Sequence, residues 1–312
     1  MDRYALFVTS DFGIEVAKYL FDTAEVVFVL TSQPKPKGRH FIIEDIETVK
    51  LAKKKEIQVI YVEKSFEIFK SIETYQFDYG VVIDFAFILK KEVLSLAKKM
   101  FINIHPSLLP KYRGPSPLHF QIIDNLLKTG VTIIKMDCSI DAGDILFQVK
   151  TELEYLLNFT EFYDYMRWLS QIAFELYIKN KEVIIPIPQK HEEATYTRKI
   201  SKEDAYINPE EQKSDLIIGK IKAFEKWPKV KIKAGEDIFI LLDARKYYKD
   251  VEKYKPGCIS IEDKHIIIGT ADLPVEITEI QKLGKKPQST VQFLFGFRKR
   301  YTNLPLEREF SI

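Results

Sequence analysis

Residues 101–114 end an apolar run and enter a loop, and within that stretch Asn103 and His105 stand two positions apart. Side chains two apart on a strand share a face, so an amide and an imidazole converge where the strand stops. Thirty-six residues beyond His105, the segment Asp141, Ala142, Gly143, Asp144 puts two carboxylates in a turn between two strand-like runs. An amide, an imidazole and a carboxylate together suit acyl transfer to an amine. The imidazole titrates near neutrality and can take or return a proton. The Asn103 amide can donate a hydrogen bond to the oxyanion of a tetrahedral intermediate. A buried Asp141 would fix the histidine tautomer and favour its charged form. The amine itself attacks, so no serine or cysteine nucleophile is required. On residue type and spacing alone, the bland readings stay open: a histidine at a strand–loop junction is often structural, and 141–144 can be only a turn.

The elements that must position these groups alternate in type. Residues 4–9, 25–31, 57–62, 79–83 and 101–104 are apolar runs of strand length, whereas 12–21, 42–55, 66–72 and 91–99 carry helical spacing. Continuous apolar strands alternating with helices predict a parallel sheet covered on both faces, whose ligand sites lie beyond the carboxyl ends of the strands. Residues 118–127 read as a helix, 130–136 and 145–153 as strands, and 159–178 as a long amphipathic helix. Pro186, Pro188 and the charged residues 190–193 mark a linker. From residue 207 onward helical content drops, and short alternating runs at 229–233, 238–242, 258–261, 265–268 and 275–280 predict a small all-β barrel or sandwich. The expected division is 1–187 for a catalytic domain, 188–206 for a linker and 207–312 for a β-barrel domain.

Composition sets wide bounds. A chain of 312 residues fits two domains. A net charge of +2 is too small to argue for nucleic acid by itself. Residues 207–312 nevertheless carry 20 basic against 16 acidic side chains. Lys229, Lys231 and Lys233 alternate and would share one strand face, and Arg298, Lys299 and Arg300 form a second cluster. Such a stripe can neutralise phosphates or simply be a solvated face. Cys138 and Cys258 have neither disulfide-framework nor metal spacing, so no metal is expected and a reducing cytoplasm is. There is no secretory pattern at the N-terminus and no apolar stretch of membrane-spanning length, so no membrane association is expected. The first strand–helix turn, residues 8–13, lacks the three-glycine pyrophosphate loop, which disfavours a nicotinamide enzyme.

The string Asn103-Ile104-His105-Pro106-Ser107-Leu108-Leu109-Pro110, followed by Gly130-Val131-Thr132-Ile133 and Asp141-Ala142-Gly143-Asp144, resembles the signature of the formyl-tetrahydrofolate-dependent formyltransferases. The resemblance implies catalytic roles for Asn103, His105 and Asp141, with Asp144 a turn or strand-start residue. It implies 10-formyltetrahydrofolate as formyl donor, bound along Asp84, Phe85, Ala86, Ile88 and Leu89 and along Ser107, Leu108, Leu109 and Pro110. Further segments resemble the members whose acceptor is initiator methionyl-tRNA: 9–12, the loop 32–39, Arg113 to Pro117, the interdomain stretch 194–203, Ala223 to Pro228, and 283–286. On that likeness Lys37, Arg39, Lys199, Lys229, Lys231 and Lys233 would meet the RNA. The fold would be a Rossmann-like, mostly parallel α/β sheet domain followed by a small oligonucleotide-binding-like β-barrel, and the protein a monomer. A sugar-amine acceptor and a non-enzymatic tRNA-binding protein remain as alternatives. The chain departs from the family where Ala-Tyr-Gly becomes Asp84-Phe85-Ala86. Losing the glycine restricts positive φ at Ala86, and the Asp84 carboxylate could pair with the donor's ring nitrogens or point away.

Overall fold

A computed structural model of the chain describes residues 1–34, 36, 43–262, 264–297 and 299–307. In the first half, β-branched and aromatic runs that are apolar on both faces can be buried only in the middle of a layered sheet. They form β1 (Arg3–Val8), β2 (Glu25–Ser32), β3 (Gln58–Val62), β4 (Tyr79–Ile83) and β5 (Met100–His105). Between them run α1 (Ile14–Thr23), α2 (Glu47–Lys54), α3 (Ile68–Ile72) and α4 (Lys91–Leu94). After α5 (Pro117–Ile123) come β6 (Lys128–Lys135), β7 (Ile145–Glu152) and the long α6 (Phe159–Asn180). The strand order is β3-β2-β1-β4-β5-β6-β7. The first five strands are parallel, and β6 and β7 add antiparallel at one edge. This is a mostly parallel, Rossmann-like sheet. One face carries Ala5, Phe7, Phe28, Leu30, Val82 and Phe101, packed by Ile68, Ile72 and Val93. On the other face Gly13, just ahead of α1, lies against Val8 and Ile83, and Tyr19 of α1 meets Phe174 of α6 edge-on at 6.0 Å.

Three helices, α2, α4 and α5, are shorter than their apolar spacing predicts; α5 ends at Ile123 rather than 127, where Asn125 turns left-handed at φ +53°. α2 begins at Glu47, and residue 42 lies outside the described residues. α4 ends at Leu94 because the following backbone is claimed elsewhere: the Lys98 amide donates to the Phe77 carbonyl and the Lys99 amide to that of Asp78.

The later part of the chain forms α7 (Ser214–Ala223), β8 (Val230–Ala234), β9 (Asp237–Lys246), β10 (Cys258–Ile261), β11 (Ile266–Ile268), β12 (Val275–Lys282), β13 (Gln288–Ser289), α8 (Thr290–Gly296) and β14 (Tyr301–Pro305). Its antiparallel sheet runs β14-β10-β11-β12-β9-β8, with β13 beside β12. Just past β14 the Glu307 amide donates to the Lys233 carbonyl of β8 at 3.2 Å, so the two ends of the sheet curl together as a small barrel requires. Residues 1–115, 128–152 and 163–197 make one compact unit, and 116–127, 153–162 and 198–312 make the other. Among the described residues, no helix is long and apolar enough to cross a membrane.

α7 was not expected from the sequence. Its isoleucine-rich composition mimics a strand, and packing decides otherwise: Ile217, Ile218 and Ile221 are buried. Gly219 lets α7 approach α5, and a Cβ there would lie 2.4 Å from the Ile123 carbonyl oxygen. Gly219→Ala therefore sets two effects against each other. Alanine gains about 1 kcal/mol of helix propensity, while overpacking against rigid backbone costs roughly 1–3 kcal/mol. The clash should win and lower the melting temperature by several degrees. A thermal melt showing an equal or higher Tm would contradict the close packing.

Candidate active site

β5 stops at His105, with Asn103 and His105 on the same face of the strand. His105 is 4% exposed, and its Nε2 lies 2.9 Å from the Tyr112 carbonyl oxygen. A carbonyl only accepts, so Nε2 carries the proton and Nδ1 presents its lone pair. Nδ1 faces Asp141 Oδ2 at 3.6 Å. The tautomer of the neutral ring is thus set by the Tyr112 backbone, not by the carboxylate as the sequence had suggested; Asp141 instead lies next to the nitrogen that would gain a proton.

Asp141 adopts φ +49°, an uncommon left-handed backbone that aspartate tolerates better than most residues. Its Oδ1 accepts from Asn103 Nδ2 at 3.0 Å, and its Oδ2 accepts from the Gly114 amide at 2.8 Å. One carboxylate therefore ties together the β5 edge, the turn before β7 and the loop after His105. Gly114 has φ +106°, and a Cβ there would lie 2.6 Å from the Thr197 carbonyl oxygen. The second Asn103 N–H has no protein partner among the described residues and is available to a ligand oxygen. Asp144 fills a turn role: its carbonyl accepts from the Lys135 amide at 2.9 Å.

The loop after His105 is held from below. Thr132 Oγ1 on β6 donates to the Ser107 carbonyl at 2.6 Å and accepts from the Leu109 amide at 3.1 Å. Gln148 Nε2 on β7 reaches both Thr132 Oγ1 and the Leu109 carbonyl. Ser107 is fully buried, with its hydroxyl donating to the Lys111 carbonyl. Leu109 is buried as well, whereas Leu108 and Pro110 are half-buried. Apart from the Thr132 found within the signature, none of these supports was signalled in the sequence, because most of the contacts run to backbone groups.

At the end of β4, beside β5, Asp84 has φ +44°. The left-handed residue is thus Asp84 itself rather than Ala86, where the lost glycine pointed. The Asp84 carboxylate accepts from the Ser10 hydroxyl. Its carbonyl accepts from the Thr9 amide and hydroxyl, and that hydroxyl also accepts from the Ala86 amide at 2.9 Å. These contacts bridge the ends of β1 and β4, where the strand order reverses and open α/β sheets place ligands. The Asp84 residue is exposed at the end of β4, but neighbouring protein crowds its carboxylate. This desolvation raises its pKa above the usual carboxylate range, against the lowering effect of Ser10. Burial, helped by Asp84, also pushes the Tyr163 hydroxyl up to about 12. Phe85 packs edge-on against Phe7 and Phe87 at 5.7 and 5.4 Å. Leu89 is buried, and Ile88 is 69% exposed.

Lys37 and Arg39 lie outside the described residues, as does Arg298 of the second basic cluster. Lys199 is exposed. β8 begins at Val230 and Lys229 has φ +70°, so strand alternation covers only Lys231 and Lys233. Lys233 is paired with Glu307 at 2.8 Å. Among the described residues, no group of three or more His, Cys, Asp or Glu side chains is arranged to hold a metal.

Residues 14–174 match the formyl transferase family, and residues 199–298 match the formyl transferase C-terminal domain. The chain is 30% identical to a methionyl-tRNA formyltransferase of Rickettsia bellii (strain RML369-C), covering 95% of this chain and 97% of the relative. It is 32% identical to the enzyme of the same name from Rickettsia rickettsii (strain Iowa), covering 92% and 94%. In fold it resembles the sugar 3N-formyl transferase WlaRD, solved with dTDP and 5-N-formyl-THF. That likeness has TM-score 0.68 and 19% identity, and covers 92% of this chain and 99% of that one.

The Asp84 environment makes a pH-dependent prediction. A carboxyl whose folded pKa is raised binds more protons folded than unfolded, so its contribution to stability falls as pH rises through that window. Asp84→Asn should melt at or above the parent at pH 7, and the difference should shrink as pH is lowered toward 4. A variant that melts below the parent at pH 7, with the gap closing in acid, would show that the charged form is favoured instead.

Proposed function

The chain belongs to the formyl transferase family, and from that premise we propose that it moves a formyl group from 10-formyltetrahydrofolate to the α-amino group of initiator methionyl-tRNA. The observation that carries the chemistry is the Asp141 carboxylate, bonded to Asn103 and facing His105 Nδ1. In the proposed reaction the acceptor amine attacks the formyl carbon and a new C–N bond forms. In this reading the second Asn103 N–H donates to the oxygen as it becomes anionic. His105 Nδ1 takes the proton lost by the amine, and Asp141 stabilises the resulting imidazolium. The proton then passes to the departing nitrogen of the folate as its bond to the formyl carbon breaks.

The donor's flat ring suits the lip of part-exposed Phe85, Phe87 and Ile88 at the end of β4, and its formyl end suits the neighbouring end of β5. In this reading Asp84, Ala86, Leu89, Ser107, Leu108, Leu109 and Pro110 complete the donor side, with the buried members shaping the wall. The names of the relatives support a tRNA acceptor. Lys37, Arg39, Lys199, Lys229, Lys231 and Lys233 are its proposed contacts. Lys231 is the better-supported lysine of β8, because Lys233 already has a carboxylate partner. The proposed division of labour is catalysis by 1–187, a linker at 188–206 and RNA binding by 207–312, acting in the cytoplasm where initiator tRNA is charged.

The test is formyl transfer by purified protein to charged initiator tRNA, to a nucleotide-linked amino sugar and to glycinamide ribonucleotide. Transfer to the tRNA alone is expected, whereas transfer only to a sugar amine would overturn the acceptor assignment. With the preferred acceptor, His105→Ala should lower kcat by roughly 10²- to 10⁴-fold, the range general acid–base catalysis contributes, while the protein stays folded. Near-parental turnover in the folded variant would remove His105 from the proposed chemistry.

A further inference from the structure

Arg113 is the largest of the fully buried side chains, at 1% exposure. Among the described residues, no carboxylate pairs with it. A buried guanidinium without a counter-charge is unfavourable unless its donors are satisfied, and here a side-chain amide oxygen, a phenol hydroxyl and an imidazole nitrogen meet it. Nε and Nη2 both donate to Gln189 Oε1, at 3.1 and 2.6 Å. Nη1 donates to the Tyr196 hydroxyl, and Nη2 lies 3.2 Å from His191 Nδ1. The backbone around it is fixed too: the Tyr112 amide donates to Thr195 Oγ1, the Arg113 amide to the Thr195 carbonyl, and the Thr197 amide to the Arg113 carbonyl.

Gln189 is 6% exposed and carries the contact onward. Its Nε2 donates to the Asp141 carbonyl at 2.9 Å and to the Gly143 carbonyl at 2.7 Å. The amide can be oriented only one way. A guanidinium cannot accept and a carbonyl cannot donate, so the oxygen must face Arg113 and the nitrogen must face the turn. The residues on either side of Arg113 supply the Tyr112 carbonyl that fixes His105 and the Gly114 amide that holds Asp141.

We propose that Arg113 and Gln189 are positioning residues, which lock the Asp141–Gly143 turn at a set distance from His105 through a directional amide. The loop carrying Arg113 touches His105 and Asp141 on one side. Gln189 grips the turn backbone from the other, so the carboxylate is held by its side chain and its main chain together. The inference rests on the role given above to Asp141. Neither Arg113 nor Gln189 touches the reacting atoms, and the expected loss comes from displacement. A shift of about 1 Å in a catalytic group can cost roughly 10²-fold in rate.

Gln189→Glu separates this role from a merely structural one. The carboxylate keeps, and strengthens, the contact with Arg113, but loses both donations to the turn and sets a negative charge against two carbonyls. With the acceptor identified in the panel above, kcat should fall about tenfold to a hundredfold, with the KM for donor and acceptor within about threefold of the parent. Gln189→Met, close in volume and without a donor, should behave the same way and carries the test if the glutamate variant does not fold. Parental kcat in either folded variant would overturn the proposal. Failure of both to fold would also overturn it, by making the pair a structural staple. Asp141→Asn is measured in parallel. If it retains parental kcat, the underlying role of Asp141 fails, whereas its loss alongside a fully active Gln189→Glu sinks the positioning inference alone.

Discussion

The site depends on one carboxylate being held where three segments meet. Asp141 accepts from an amide on β5 and from a backbone N–H of the following loop, and faces an imidazole, with its side chain 14% exposed. In so little water these contacts count for more than at a surface, since lower local polarity strengthens both attraction and the penalty for a missing partner. The left-handed backbone at Asp141 costs of order 1 kcal/mol or more, and the surrounding bonds must hold it there. The chemistry and the local architecture therefore share one constraint: anything that releases the turn releases Asn103, His105 and Gly114 from one another.

The sheet explains why these segments can meet. Parallel strands β1, β4 and β5 end at the same edge, so the Thr9–Ser10 turn, the Asp84 turn and the Asn103–His105 pair emerge side by side. β6 runs antiparallel to β5, away from that edge, and β7 runs back toward it; the connection between them, residues 136–144, carries Asp141 to the Asn103 and His105 side chains. Thr132 and Gln148 on those strands support the loop after His105. The helices bury the faces of the sheet.

Much of this was legible because it has a period. Strand length and β-branched composition gave the parallel core, and the two-residue spacing put Asn103 and His105 on one face. The paired carboxylates at 141 and 144 sit in a turn, as their surroundings implied. What could not be read falls into two kinds. The first is contacts whose partner is backbone, such as the Tyr112 carbonyl on His105 or the carbonyls gripped by Gln189, since main-chain groups leave no mark of residue type. The second is outcomes decided by distant packing: α7 on α5, the early end of α4, and the left-handed turns at Asp84 and Lys229 that interrupt alternation. Gln189 shows both kinds, being one ordinary glutamine in a linker-like stretch that reaches the centre of the site.

The central claim is that His105 and Asp141 act as one unit, not as two independent aids. A double-mutant cycle in single-turnover formyl transfer tests it directly, comparing His105→Ala, Asp141→Asn and the pair at saturating donor and acceptor. If the unit is real, the double variant should lose little more rate than the worse single variant, since either change alone disables the shared proton-transfer step. If the two losses multiply, the residues contribute separately and the account of a single carboxylate-centred site is contradicted.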